Sequence, residues 1–559
     1  MSVYPPVVSS DEVNWDEERD LVIAGAGAGG LTTALLAADR GADVLVLEKG
    51  ARAGGCMGKS GAAYWVPANS MMRRDGKSDD RAAAMRYMVR LARPEAYDPT
   101  DPRLGLDEWE YAGIAAFYDT AADALDALVA LGAFRPMYVP DVPDYHSLLA
   151  ENAAPYGRTL YTYGPTDLPA RGVHLTDDML AKARELAIAI RYRHRIVSTV
   201  VARRAVVGLV VEHEHGTTAV RADRGVVFAT GGFTHDAELR RNHLPAPILD
   251  GCAALENTGD FVRIAQALGA PLYNMNNAWM APIPFEIARS GSPFTSGIFA
   301  VPGDSMIWVD RSGRRSANEK QVYHELAKSF FGFDSAAMLY PNLLKFMLWD
   351  QRTMDLWRLT PTDSQTPLAR LAMDNWGNVV YDDFHLIKAQ TLDALAAAIE
   401  QRLSELSSET GGFTLAPGFA RELPKTIERF NRLAMSGRDL DFGRGEDPIE
   451  RLFHGEARAG NDRPNPTMYP LSTAGPFYAT IVCAGTLDTK GGPRATVDGQ
   501  ILGSDGEPIA GLYGVGNCVA SPSGEAYWAA GGTLGPIFAA AYRLAEHLAA
   551  APAMPGASA

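Results

Sequence analysis

At 559 residues the chain exceeds the size at which one hydrophobic core stops growing, so two domains, or one inserted in another, are expected. A formal net charge of −15 argues against duplex nucleic acid, and four scattered cysteines lack the paired spacing of zinc or iron–sulfur sites. Those cysteines predict no metal and a reduced, cytoplasmic setting, and export is not expected, because residues 1–20 are acidic and lack the basic and apolar regions of a secretory signal.

In chain order, an apolar strand at 21–24 leads into a glycine turn at 25–30, a helix to Arg40 and a second strand at 44–48, a βαβ opening. Apolar helical stretches at 113–134 and 536–551 are broken by charged residues, so neither reads as a membrane span; peripheral association stays open. β-Branched runs at 196–211 and 218–229 predict a sheet extension that returns to the first domain. From about 279 to 478, Trp-rich segments and helices such as 391–408 mark an insertion. Within it, residues 335–349 are apolar apart from Asn342 and Lys345 and read as a buried helix, with a cover over a substrate mouth as the alternative. Turn signals at Gly491, Asp498 and Asp505 precede a last helix from about Leu534.

Gly25, Gly27 and Gly30 form G-x-G-x-x-G between strand and helix, and Glu48 closes the next strand, followed by Lys49. Gly25 permits the tight turn, Gly27 lets the backbone approach a pyrophosphate, Gly30 allows close helix packing, and Glu48 accepts from ribose hydroxyls. Several small-residue turns point to FAD rather than NAD. They are Gly54-Gly55, Thr230-Gly231-Gly232 after an apolar strand, Gly516-Asn517, and Thr533-Leu534 opening the final helix toward the flavin pyrimidine. The expected fold is α/β, with a Rossmann-like FAD-binding domain formed by 1–278 and 485–559 and an inserted α+β substrate domain over 279–484.

Further motifs follow in order: Ser60-Gly61-Ala62-Ala63-Tyr64-Trp65-Val66-Pro67, Pro143-Asp144-Tyr145, Asn257-Thr258-Gly259-Asp260, and Asn318-Glu319 before Tyr323. After them come Arg444-Gly445-Glu446-Asp447-Pro448, Thr489-Lys490-Gly491-Gly492, and Tyr527 before Gly531. With these the chain resembles, along most of its length, the FAD-dependent 3-ketosteroid Δ1-dehydrogenases of the fumarate reductase/succinate dehydrogenase flavoprotein superfamily. The resemblance implies that Tyr323 is the general base, that Tyr145 assists proton transfer, and that Tyr527 and the Gly531 N–H hold the ketone oxygen. It adds Ser60, Gly61 and Asp260 to the cofactor set and implies hydride transfer from the β carbon to flavin N5.

Trp65, Trp279 and Trp528 read either as core or as walls of an apolar pocket, with Trp528 narrowing the space between the ketone-holding groups. No His lies between 51 and 70, so FAD is expected to be non-covalent, with Cys56 a small packing residue. The segment 334–382, with Trp349, Trp357 and Trp376, is longer than the resemblance predicts and is expected to reshape the entrance. The substrate therefore stays open between a 3-ketosteroid and a smaller cyclic ketone such as a cyclohexanone, and an enone or fumarate-type reductase remains an alternative. A dicarboxylate would need several Arg and His groups, whereas the tail around Tyr527 offers a phenol, a Trp and small residues. An external, quinone-like acceptor is the expected redox partner.

Overall fold

The computed structural model describes residues 7–164, 171–291, 297–299, 303–359, 384–455 and 457–551. Residues 360–383 of the long segment, with Trp376, and the side chain of Trp357 lie outside them. Two compact units form, one from 1–245, 253–278 and 488–559, the other from 246–252 and 279–487.

The first unit is built on a nine-stranded sheet. Its middle strand, Glu17–Ala24, pairs in parallel with Val44–Leu47 from Leu21↔Val44 to Ala24↔Leu47. On its other edge it pairs in parallel with Gly216–Phe228, ending at Phe228↔Ala24, and that strand pairs in parallel with Pro508–Gly514. Residues 21–24 and 44–47 are all buried, as strands covered on both faces must be, which is why they read as continuous apolar runs. Four strand ends thus meet at residues 24, 47, 228 and 514, the carboxyl edge where open parallel sheets bind ligands. The helices Ala28–Asp39 and Leu534–Ala550 cover one face, sharing a core through Leu31, Leu35, Phe538 and Leu544.

The second unit holds a mostly antiparallel six-stranded sheet centred on Phe477–Thr489 and Leu344–Asp350. The helices Leu392–Glu405 and Phe419–Ser436 pack on it through Leu395, Ile399, Leu423 and Phe430. The architecture is a Rossmann-like α/β unit with an inserted α+β unit, as the sequence predicts.

Two expectations are corrected. Residues 246–252 and 485–487 belong to the second unit, because Asp250–Gly251 pairs in parallel with Gly485 and Thr486. Residues 335–349 are not a helix: turns around an Asp334↔Leu339 bridge lead into the strand Leu344–Asp350. Alternate side chains of that strand enter two different cores, Phe346 and Leu348 one, Met347 and Trp349 the other. A strand buried on both faces has no polar alternation and so matches a buried helix in pattern. No helix among the described residues is long and apolar enough to cross a membrane.

Candidate active site

The glycine turn divides into positions the protein itself fills and positions it leaves open. A Cβ on Gly25, at φ +105°, would lie 2.4 Å from the Ala229 carbonyl oxygen, and one on Gly30 would lie 1.9 Å from that of Gly25. At Gly27 the nearest atom to such a Cβ is the Gly54 oxygen at 3.9 Å, at Gly55 it is Gly27 Cα at 3.8 Å, and at Gly61 nothing lies within 4 Å. Of these, Gly27 is the N-cap of Ala28–Asp39, offering no side chain to its first N–H groups, and Gly55 lies beside it. Amides without a side-chain cap, a helix dipole and missing side chains fit a pyrophosphate. Gly54, at φ +112°, is tied to this turn by its N–H on the Ala26 oxygen.

Glu48 accepts from Ala26 N at 2.8 Å and Gly50 N at 2.6 Å, so its carboxylate shapes the turn. Burial, reinforced by Glu256, pushes its pKa up despite those hydrogen bonds. Lys49 and Asp260 pair with each other at 2.8 Å. The Ser60 hydroxyl accepts from Ala62 N at 3.0 Å. Thr230 and Gly231 follow the strand end at Phe228; a Cβ on Gly231 would meet the Asn257 amide at 2.5 Å, and one on Gly232 the Asp488 carboxylate at 2.5 Å. Asn517, after Gly516 at φ +82°, donates to Asp488 at 3.0 Å, and Thr533 is the N-cap of Leu534–Ala550. Asp488 escaped the sequence reading; its only signal there is an acid at the end of an apolar strand.

Tyr145 and Tyr527 come together edge to face, ring centroids 5.4 Å apart, both almost wholly buried. Tyr145 is held by its N–H on the Trp528 oxygen at 3.1 Å and by its neighbour Asp144, which accepts from Trp65 Nε1 and from Arg158, both at 2.7 Å. Arg158 also reaches Asp79, so a fully buried Asp–Arg–Asp group fixes this loop. Lys490 Nζ donates to the Ala526 oxygen at 2.7 Å, which positions the residue before Tyr527. Gly531, at φ +85°, has no room for a side chain, since a Cβ would lie 2.3 Å from Tyr64 Cα; its carbonyl takes the Trp65 N–H at 3.0 Å.

Trp65 and Trp528 both lie in the core of the first unit, Trp528 stacked on Phe117 at 5.6 Å with its indole N–H on Met88 O. Trp279 is buried in the strand Ala278–Pro284 of the second unit.

Tyr323 belongs to the second unit, where it opens the short helix Tyr323–Lys328 and meets Phe299 edge to face at 5.1 Å. The preceding Asn318 and Glu319 act as anchors: Asn318 donates to Glu450 at 2.7 Å, and Glu319 pairs with Arg315 at 2.6 Å and with Arg444 at 3.4 Å. Arg315 also pairs with Asp439 at 2.8 Å. His324 accepts the Met280 N–H at 3.1 Å.

A family model described as an FAD binding domain matches residues 20–534. The chain is 31% identical over 562 residues to the 4-oxocyclohexanecarboxylate 2-dehydrogenase of Sinomonas cyclohexanicum, covering 94% of this chain and 91% of that one. It is 29% identical over 589 residues to the 3-oxosteroid 1-dehydrogenase of Mycobacterium tuberculosis, covering 95% and 98%. Among solved structures it is similar to the 3-ketosteroid delta1-dehydrogenase from Sterolibacterium denitrificans in complex with 1,4-androstadiene-3,17-dione, with a TM-score of 0.76, 25% identity and coverage of 95% and 99%. A flavocytochrome c3 fumarate reductase shares the fold, with a TM-score of 0.66 at 19% identity.

Proposed function

The chain belongs to the FAD binding domain family and is an FAD-dependent oxidoreductase, and from that premise we propose that it desaturates a cyclic ketone between the carbons α and β to the carbonyl. The observation that carries this reading is the edge-to-face pair of Tyr145 and Tyr527 on the loop system that also holds Gly531. Tyr527 O–H and Gly531 N–H donate to the ketone oxygen and stabilise the charge that grows on it as the α proton leaves. Tyr323 takes that proton. A phenol ordinarily titrates near pH 10, so a Tyr base needs a relay for the proton, a role that the family resemblance gives to Tyr145. FAD, held non-covalently, supplies the acceptor for the β hydrogen with its electron pair. A quinone-like external acceptor then restores the oxidised state.

We read the substrate as a 3-ketosteroid, in keeping with the relatives that carry that activity in their names. The 31% identity to a 4-oxocyclohexanecarboxylate 2-dehydrogenase favours a second reading, a smaller cyclic ketone. Incubation with androstenedione, cholestenone and cyclohexanones plus an artificial acceptor tests both. The expected product is two hydrogens lighter and absorbs as a conjugated enone; no such product from any ring ketone would refute the proposal.

A further inference from the structure

Asp488 is the point where the separate segments of the cofactor cradle meet. Its Oδ2 accepts from Gly232 N at 3.0 Å, Asn257 Nδ2 at 2.7 Å and Asn517 Nδ2 at 3.0 Å, and the Cys56 thiol lies 3.8 Å away. Its Oδ1 accepts from Thr489 N at 2.9 Å and Thr234 Oγ1 at 3.1 Å. Asn257 donates on to Cys56 Sγ at 3.3 Å. The carboxylate is 2% exposed, and among the described residues it has no ion-pair partner. A buried charge held only by neutral donors is unusual, because desolvation favours replacing it with a neutral group unless the charge has a use.

The donors come from segments far apart in sequence, beside Gly55, at Gly232, at Asn257 and at Asn517, all within the first unit. We propose that Asp488 is a positioning residue for FAD: it draws these turns into one cradle and holds a fixed negative charge within it, which a bound flavin would feel. The proposal rests on the cradle assignment and is independent of the substrate. Five donors aimed at the carboxylate favour its ionised form, while burial pushes its pKa up. Two-electron reduction adds negative charge to the flavin, so a nearby carboxylate opposes it and lowers the midpoint potential.

The test is spectroelectrochemical titration of the FAD-loaded protein at pH 8, paired with FAD dissociation constants from reconstitution. Asp488→Asn keeps the shape and removes the charge; FAD should bind at least about tenfold more weakly and the midpoint potential should rise. Asn257→Ala keeps the charge and removes one compensating donor; the potential should fall. A purely structural role loosens FAD in both variants without moving the potentials in opposite directions, and that result overturns the proposal. If Asp488→Asn does not fold, Asn257→Ala decides alone, an unchanged or raised potential counting against it. Wild-type protein that binds no FAD would instead sink the cradle assignment.

Discussion

A methyl group on Gly30 would sit 1.9 Å from the Gly25 oxygen, against backbone that cannot yield without opening the turn. Gly30→Ala should therefore leave a folded chain that retains less than a tenth of its flavin, read as the ratio of flavin to protein absorbance. Tyr527→Phe removes one donor from the ketone oxygen while keeping the edge contact with Tyr145; kcat should fall on the order of 10²-fold, with FAD retained. At this scale the glycines were legible because each obeys a local spacing. Asp488 was not, since its partners at 232, 257 and 517 meet only in the fold. The tryptophans show the same limit: the partners of Trp528, Phe117 in its ring stack and the Met88 carbonyl on its indole N–H, meet it only in the fold.

At the scale of elements, the loop that carries Tyr145 is fastened by Arg158 between Asp79 and Asp144. Removing the arginine leaves two buried carboxylates unmatched, so Arg158→Met should lower unfolding stability by about 3–5 kcal/mol in a denaturant titration. In the second unit, Glu450 accepts from Asn318 and Gly445, and burial pushes its pKa from 4.5 to about 7. A folded-state pKa above the unfolded one means the native state binds the proton more tightly. Its stabilising contribution is complete below about pH 4.5 and is lost as pH rises through about 7. Glu450→Gln should flatten the stability profile in that window, as followed by melting temperature against pH. The βαβ opening was readable from alternating strand and helix periods, whereas Leu344–Asp350 was not, because burial on both faces erased the two-residue period.

At the scale of the molecule, the first unit is assembled from three stretches of chain, the last beginning at residue 488. FAD contacts proposed on residues 25–61, 230–260 and 516–534 would bind all three together only when folded. Free FAD at a hundred times its Kd should then add about 2.7 kcal/mol to the stability of the first unit, visible as a rise in melting temperature of the reconstituted protein. The discontinuity was legible because dinucleotide-like glycine turns reappear after residue 485. The exact seam was not, since it depends on the pairing of Asp250 with Gly485.

The most direct test of the account is anaerobic mixing of the FAD-loaded protein with a ring ketone that it turns over, followed by flavin absorbance, for wild type and Tyr323→Phe. Wild type should bleach within its turnover time, while Tyr323→Phe, still yellow, should bleach at least about 10²-fold more slowly, since general-base removal is worth about 10²–10⁴ in rate. Equal bleaching rates in the two proteins would contradict the assignment of Tyr323 as the base.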